Sequence, residues 1–248
     1  MKNALIVALT LILLTVVLEA LRAHERDALR RIVQEQCLPH FREHASSAPC
    51  ERVVLPAAGD DHGFAILHDK KGGAHFLLIP TRTLTGIESA ALLEPEAPDY
   101  VSAAWANRDV LEHWLGRALP RDAVGLAINP RAARGQDQFH IHLECVGSAL
   151  AGALSAHAET IGNSWSALVV ADRHLQVRRI MGDAFERANP IQLLARDLPN
   201  PRRDRGAYTL IVAGRTFAAG PGVVVLVGVG KPGGETLLDS RCAVATTG

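Results

Sequence analysis

Aromatic residues make up only 4% of this 248-residue sequence, and its charges cancel, with 26 Lys and Arg against 26 Asp and Glu. The first shortage leaves no stacking platform for single-stranded nucleic acid. The second leaves no electrostatic footprint for a polyanion, so nucleic acid is not an expected partner. No Cys-x-x-Cys occurs, which sets aside the common zinc-ribbon and thioredoxin-type motifs. Long apolar runs are also missing. After Lys2, the uncharged stretch Ala4–Leu18 is fifteen residues long, short of the roughly 20 that span a bilayer. It reaches Leu21 only by taking in Glu19, which can lie near one interface of a thin membrane. No small-x-small cleavage site follows it. The expectation is an uncleaved membrane anchor over residues 1–22, with a cleaved signal peptide as the alternative.

What is present is a globular body. Hydrophobic content is 48% and charged content 21%, as in a protein with a proper core. Leu29, Ile32 and Val33 have helical spacing and predict a helix over His24–Gln36. Gly63–Lys70 and Ala74–Thr81 flank Lys71-Gly72-Gly73, a hairpin signal. Val101–Ala118 is an amphipathic helix carrying Asn107 and Arg108, and Val124–Asn129 is a strand. Hairpin, helix and two more strands predict an α+β fold with an antiparallel sheet. Beyond Cys145 the pattern is fainter. Helices are expected over Ser148–Ile161 and Pro190–Leu198, and strands over Trp165–Val170, Thr209–Ala213 and Val223–Val229. Arg178-Arg179 and Arg202-Arg203-Asp204-Arg205 are basic clusters expected in solvated loops.

The chemistry concentrates in Gln136–Cys145. Polar and apolar residues alternate there, the mark of a half-buried strand. A strand sends Gln138, His140, His142 and Glu144 to one face, and Phe139, Ile141, Leu143 and Cys145 to the other. The two imidazoles then stand roughly 7 Å apart, whereas a helix would turn them about 200° from each other. Such a pair can handle phosphate, ligate a metal or merely face solvent. Upstream, Asn129, Arg131, Arg134 and Gln136 offer hydrogen-bond donors suited to an anionic phosphate. For a metal, Glu144 is a third ligand, and another would have to come from His62, His68 or His75.

Four cysteines allow three disulfide pairings, of which Cys37–Cys50 with Cys145–Cys242 is preferred. The alternative is four free thiols in a cytosolic body. The arginines at 22, 26, 30 and 31 place positive charge after the anchor and would keep the body inside. The cysteines point outward, and the outward assignment is the one adopted.

The strand resembles the histidine-triad signature of the HIT superfamily, His-φ-His-φ-His, with Gln138 at its first position. His75-Phe76-Leu77-Leu78-Ile79-Pro80 is similar to that superfamily's His-x-Leu-φ-φ-Pro strand. Within it, the chain most resembles the bacterial CDP-diacylglycerol pyrophosphatase family, through its N-terminus, the Glu-x-Cys-Leu-Pro stretch at Cys37, the strand ending at Asn129, and Phe139-His140-Ile141-His142 before a cysteine. The resemblance implies a HIT-like antiparallel sheet with flanking helices. Residues 23–146 would bear the site, and residues 147–248 would complete the sheet as a degenerate duplicated half. It implies hydrolysis of CDP-diacylglycerol to CMP and phosphatidate at the inner membrane, with the catalytic body facing the periplasm. His140 would be the nucleophile and His142 a phosphate donor, with Gln138, Asn129 and Gln136 as secondary donors. Gln138 cannot act as an imidazole, so tuned activity is expected. No metal and no cofactor are required. A metallohydrolase using His140 and His142, and a non-enzymatic envelope protein, are the alternatives.

Overall fold

The computed structural model describes residues 13–15, 17, 19, 21, 23–57, 59–197 and 204–243. Its N-terminal helical segment runs from α1 (Ala28–Arg31) through a π-helical stretch (Ile32–Cys37) into α2 (Leu38–His44). Strand β1 (Arg52–Val54) follows, then the hairpin of β2 (Phe64–His68) and β3 (Phe76–Pro80). The turn passes through Gly72 and Gly73, both at positive φ, where a Cβ would be strained. Helices α3 (Tyr100–Ala106) and α4 (Asp109–Leu115) lead to β4 (Val124–Ile128) and β5 (Ile141–Val146). Helix α5 (Ser148–Ala156), the hairpin of β6 (Ser166–Val170) and β7 (Arg173–Met181), helix α6 (Pro190–Arg196), the hairpin of β8 (Tyr208–Phe217) and β9 (Gly220–Val229), and the short β10 (Leu238–Asp239) complete the chain.

The ten strands of the described residues join one antiparallel sheet in the order β1-β2-β3-β5-β4-β8-β9-β7-β6, with β10 on the end of β5. This order is nearly palindromic about the β4–β8 seam. Hairpin, helix, hairpin gives β2-β3-β5-β4 on one side, and hairpin, helix, hairpin gives β6-β7-β9-β8 on the other. One row of paired residues runs Leu77, His142, Ala127, Ile211, Leu226, Val177 across it. A two-fold operation through the Ala127–Ile211 pair carries His142 onto Leu226, and two residues back along the strand it carries His140 onto Val224.

Side-chain alternation sorts the sheet into two faces. Phe76, Leu78, Leu126, Ile141, Leu143, Leu210, Val212 and Val225 face a core closed by α3, α4 and α6. On the other face, α1 and its continuation cover Ala65, Leu77 and Ile79 with Leu29, Val33 and Leu38. Farther along that face, Leu150 and Leu154 of α5 cover Ile211, Val224 and Leu226. The histidine stretch lies between these two covers. Cys37–Cys50 closes the end of the first cover, and Cys145–Cys242 ties β5 to the segment after β10, the preferred pairing.

Several expectations need correction. The 101–118 helix is two helices, broken at Asn107, whose side chain bonds back to the Ala103 carbonyl at 2.8 Å and accepts from Arg52 at 2.6 Å. Arg178 and Arg179 lie on β7, not in a loop. Arg178 pairs with Asp197 at 3.2 Å, and Arg179 sits over the Phe217 ring. Strand β7 escaped because its alternation fails where these two arginines follow one another. Of the 202–205 cluster, Arg202 and Arg203 lie outside the described residues, while Arg205 donates to the Glu88 carbonyl at 2.7 Å. The expected anchor over residues 1–22 lies mostly outside the described residues. Among those described, no helix is long and apolar enough to cross a membrane.

Candidate active site

Strand pairing at β5 begins at Ile141, so Gln136–His140 approach the sheet without joining its ladder. They are held by other bonds. The Phe139 N–H donates to the Leu84 carbonyl at 2.5 Å. The Gln138 amide donates to the carbonyls of Pro80 and Arg82 at 3.1 and 2.9 Å and accepts from the Leu84 N–H at 3.4 Å. Gln138 is fully buried, and these bonds occupy both of its amide hydrogens. It anchors the peptide before His140 and has no hydrogen left for a phosphate.

His140 gains its orientation from that peptide. Its Nδ1 lies 2.7 Å from the Gln138 carbonyl, which can only accept, so Nδ1 carries the proton and Nε2 carries the lone pair. His142, one pleat on, has Nε2 3.2 Å from the Asn129 amide nitrogen and 3.1 Å from Glu235 Oε2. Its Nδ1 is 3.0 Å from His75 Nε2. The rings of His140 and His142 meet edge to face, 5.0 Å apart. Burial holds all three imidazoles below their ordinary range. His142 falls furthest, since His140 and His75 add to the effect of burial. The Glu144 carboxyl, 3.3 Å from His75 Nε2, is pushed up to about 8 by burial and then by the nearby Glu235. At neutral pH the site therefore holds neutral imidazoles.

His140 and His142 open on a cavity of about 430 Å³. Asn129 and Glu235 share their end, Leu29, Ile32 and Leu77 form an apolar wall, and Asp69, Lys70 and Lys71 stand at the β2–β3 turn. Gln136 also lines it, but it works as a clasp, donating to the Glu25 carbonyl at 2.9 Å and accepting from the Leu29 N–H at 3.1 Å. Beside it, Arg26 grips Asp137 with bonds of 2.5 and 2.6 Å. Arg131 and Arg134 do not serve the cavity. Arg134 is buried against Glu88 at 2.7 Å, and Arg131 pairs with Asp204 at 2.6 Å.

The structure thus brings His140, His142, Asn129 and Gln136 together and sets Gln138 behind them. Glu235 was invisible in the sequence. It arrives on the loop before β10, where a Cβ on Gly233 would come within 2.3 Å of Asn129 Oδ1. Only a glycine there allows the loop so close, and Pro232-Gly233-Gly234 was the one available signal.

Fold and site together define a class: an α+β protein with a buried, neutral imidazole pair at the head of a cleft on an antiparallel sheet. The profile of the CDP-diacylglycerol pyrophosphatase family matches residues 24–246. A CDP-diacylglycerol pyrophosphatase of Yersinia pestis is 32% identical over 249 residues, covering 98% of this chain and 95% of that protein. The chain belongs to the CDP-diacylglycerol pyrophosphatase family.

Proposed function

We propose that the protein hydrolyses CDP-diacylglycerol to CMP and phosphatidate, with His140 as nucleophile. The observation that carries this reading is the 2.7 Å contact between His140 Nδ1 and the Gln138 carbonyl, which leaves Nε2 unprotonated at the cavity. Nε2 attacks the cytidylyl phosphorus, and the bond from that phosphorus to the bridging oxygen breaks. Phosphatidate leaves as an anion with that oxygen, so no strong general acid is needed. Water then displaces the imidazole from the nucleotidyl intermediate and releases CMP. Covalent catalysis of this kind divides one hard displacement into two easier ones. His142 Nε2–H and the Asn129 amide donate to non-bridging oxygens, where charge stabilisation matters most. Gln138 and Gln136 serve this geometry as scaffolding, through the bonds described above.

The palindromic strand order supports a HIT-like sheet in which residues 147–248 are a degenerate second half with Leu226 and Val224 where the imidazoles stand in the first. An anchor over residues 1–22 would hold the enzyme beside a substrate whose acyl chains stay in the bilayer. The two disulfides favour an oxidising compartment, outside the inner membrane. Nucleic acid has no place in this reading.

Turnover in oxygen-18 water tests which phosphorus is attacked. Label is expected in CMP and not in phosphatidate. Label in phosphatidate would put the attack on the lipid side and exclude His140 as the acceptor of the nucleotide.

A further inference from the structure

His75 and Glu144 take no direct part in the reaction described above, yet both are buried against the rear of His142. His142 Nδ1 is 3.0 Å from His75 Nε2, and Glu144 Oε1 is 3.3 Å from the same nitrogen. One ligand atom from each of the three residues lies within 4.8 Å of the other two. The far nitrogens both look toward acids. His142 Nε2 is 3.1 Å from Glu235 Oε2, and His75 Nδ1 is 4.0 Å from Asp69 Oδ1. Glu235 on the far nitrogen of His142 can hold the ring proton there and turn Nδ1 into an acceptor, as in carboxylate–histidine–zinc arrangements, whereas Asp69 is beyond hydrogen-bond reach of His75. The His142 Nδ1 lone pair and a Glu144 carboxyl oxygen then both stand within hydrogen-bond distance of His75 Nε2. Such acceptors need a shared proton or a cation between them.

We propose that His75 Nε2, His142 Nδ1 and Glu144 Oε1 bind one zinc ion, with solvent supplying the fourth ligand. Two imidazoles and a carboxylate are a zinc-type donor set. Zinc bonds of about 2.0–2.1 Å at tetrahedral angles place donors about 3.4 Å apart, so the separations of 3.0 and 3.3 Å from His75 Nε2 need a small outward shift, and the His142–Glu144 pair, within 4.8 Å, has to settle to the same spacing. No thiolate competes, because all four cysteines are in disulfides. His142 lines the cavity and His75 and Glu144 do not. The ion therefore sits behind the imidazole, away from the phosphate. It is a positioning ion that fixes His142 with its proton on Nε2, the form that donates to the substrate. This consequence rests on the role proposed for His142, whereas the site itself does not.

The test uses the full chain with both disulfides intact, mixed with one equivalent of Zn²⁺, desalted, and measured by elemental analysis and zinc X-ray absorption. One zinc per chain is expected, with two imidazoles and oxygen at about 2.0–2.1 Å. Glu144→Gln should weaken zinc binding about 100-fold or more, Glu235→Gln about ten-fold, and His140→Ala should leave it unchanged. His75→Gln, checked for its disulfides and circular dichroism, is the second variant should Glu144→Gln fail to fold. A wild-type chain that retains no zinc, or folded Glu144→Gln or His75→Gln protein that retains it equally, would overturn the proposal. Zinc is counted without substrate, so its absence would leave the nucleotidyl mechanism standing, and failure of that mechanism would leave the zinc count standing.

Discussion

At His140 the division of labour falls between the two nitrogens of one ring. Nδ1 spends its proton on the Gln138 carbonyl, and Nε2 keeps the lone pair that the proposed mechanism directs at phosphorus. His140→Ala should therefore lower turnover by about 1,000-fold or more, as loss of a nucleophile does. Folding should survive, since the Gln138 carbonyl loses one partner at a cost of about 1–3 kcal/mol. A folded variant with near-normal kcat would remove His140 from the mechanism. His142→Ala should cost less, about 100-fold. Gln138 bears on the same point from behind. Gln138→Ala leaves two carbonyls and one N–H without partners and should cost about 1–3 kcal/mol in denaturant unfolding. An unchanged unfolding midpoint would contradict its role as an anchor. Alternation alone put Gln138 beside the imidazoles. It could not reveal that carbonyls of the 80–84 segment would claim its amide, because that meeting joins positions more than fifty residues apart.

At the scale of elements, the helical segment entering from the N-terminus is clasped to the stretch before β5. Arg26 holds Asp137, and Gln136 bonds to the backbone on either side of it. The hydrogen bond from Arg26 holds the Asp137 carboxyl below its ordinary range. A depressed carboxylate stabilises fully above its unfolded value, near 3.9, and the stabilisation is lost as pH falls through the lower folded value. The protection factors of the Ala28–Arg31 amides should thus hold to about pH 4 and fall only below it. A fall near pH 6 would mean that another group holds the clasp. The main elements around the site were legible because each had a local signal: the Lys71-Gly72-Gly73 turn, the helical spacing of Leu29, Ile32 and Val33, and the alternation in β5. Strand β7 had none, because Arg178 and Arg179 break its period and find their partners in Asp197, Trp165, Asn163 and Phe217 through the fold. Glu235 had none either, since its loop is placed by packing against Asn129.

For the molecule as a whole, one sheet carries two covers on one face, and the site lies in the gap between them. Where the first side of the palindrome has His142 and His140, the second has Leu226 and Val224, packed beneath Leu150 and Leu154 of α5. The second side therefore has apolar core in place of a pocket. The disulfides fasten the ends of this arrangement. Mass mapping of non-reduced protein should find Cys37–Cys50 and Cys145–Cys242 alone. Replacing Cys37 and Cys50 with Ala should cost about 3 kcal/mol for a loop of that size. Four alkylatable thiols in protein from its own compartment would contradict the assignment to an oxidising space.

In the proposed mechanism the nucleotide passes through His140. Rapid acid-free quenching of enzyme with CDP-diacylglycerol labelled at the cytidylyl phosphorus, followed by peptide mapping, tests that step. Transient CMP is expected on the peptide containing Phe139-His140-Ile141, absent in His140→Ala, with a CMP ester when an added alcohol intercepts it. Steady turnover with no labelled peptide at any quench time, and no alcohol product, would contradict it.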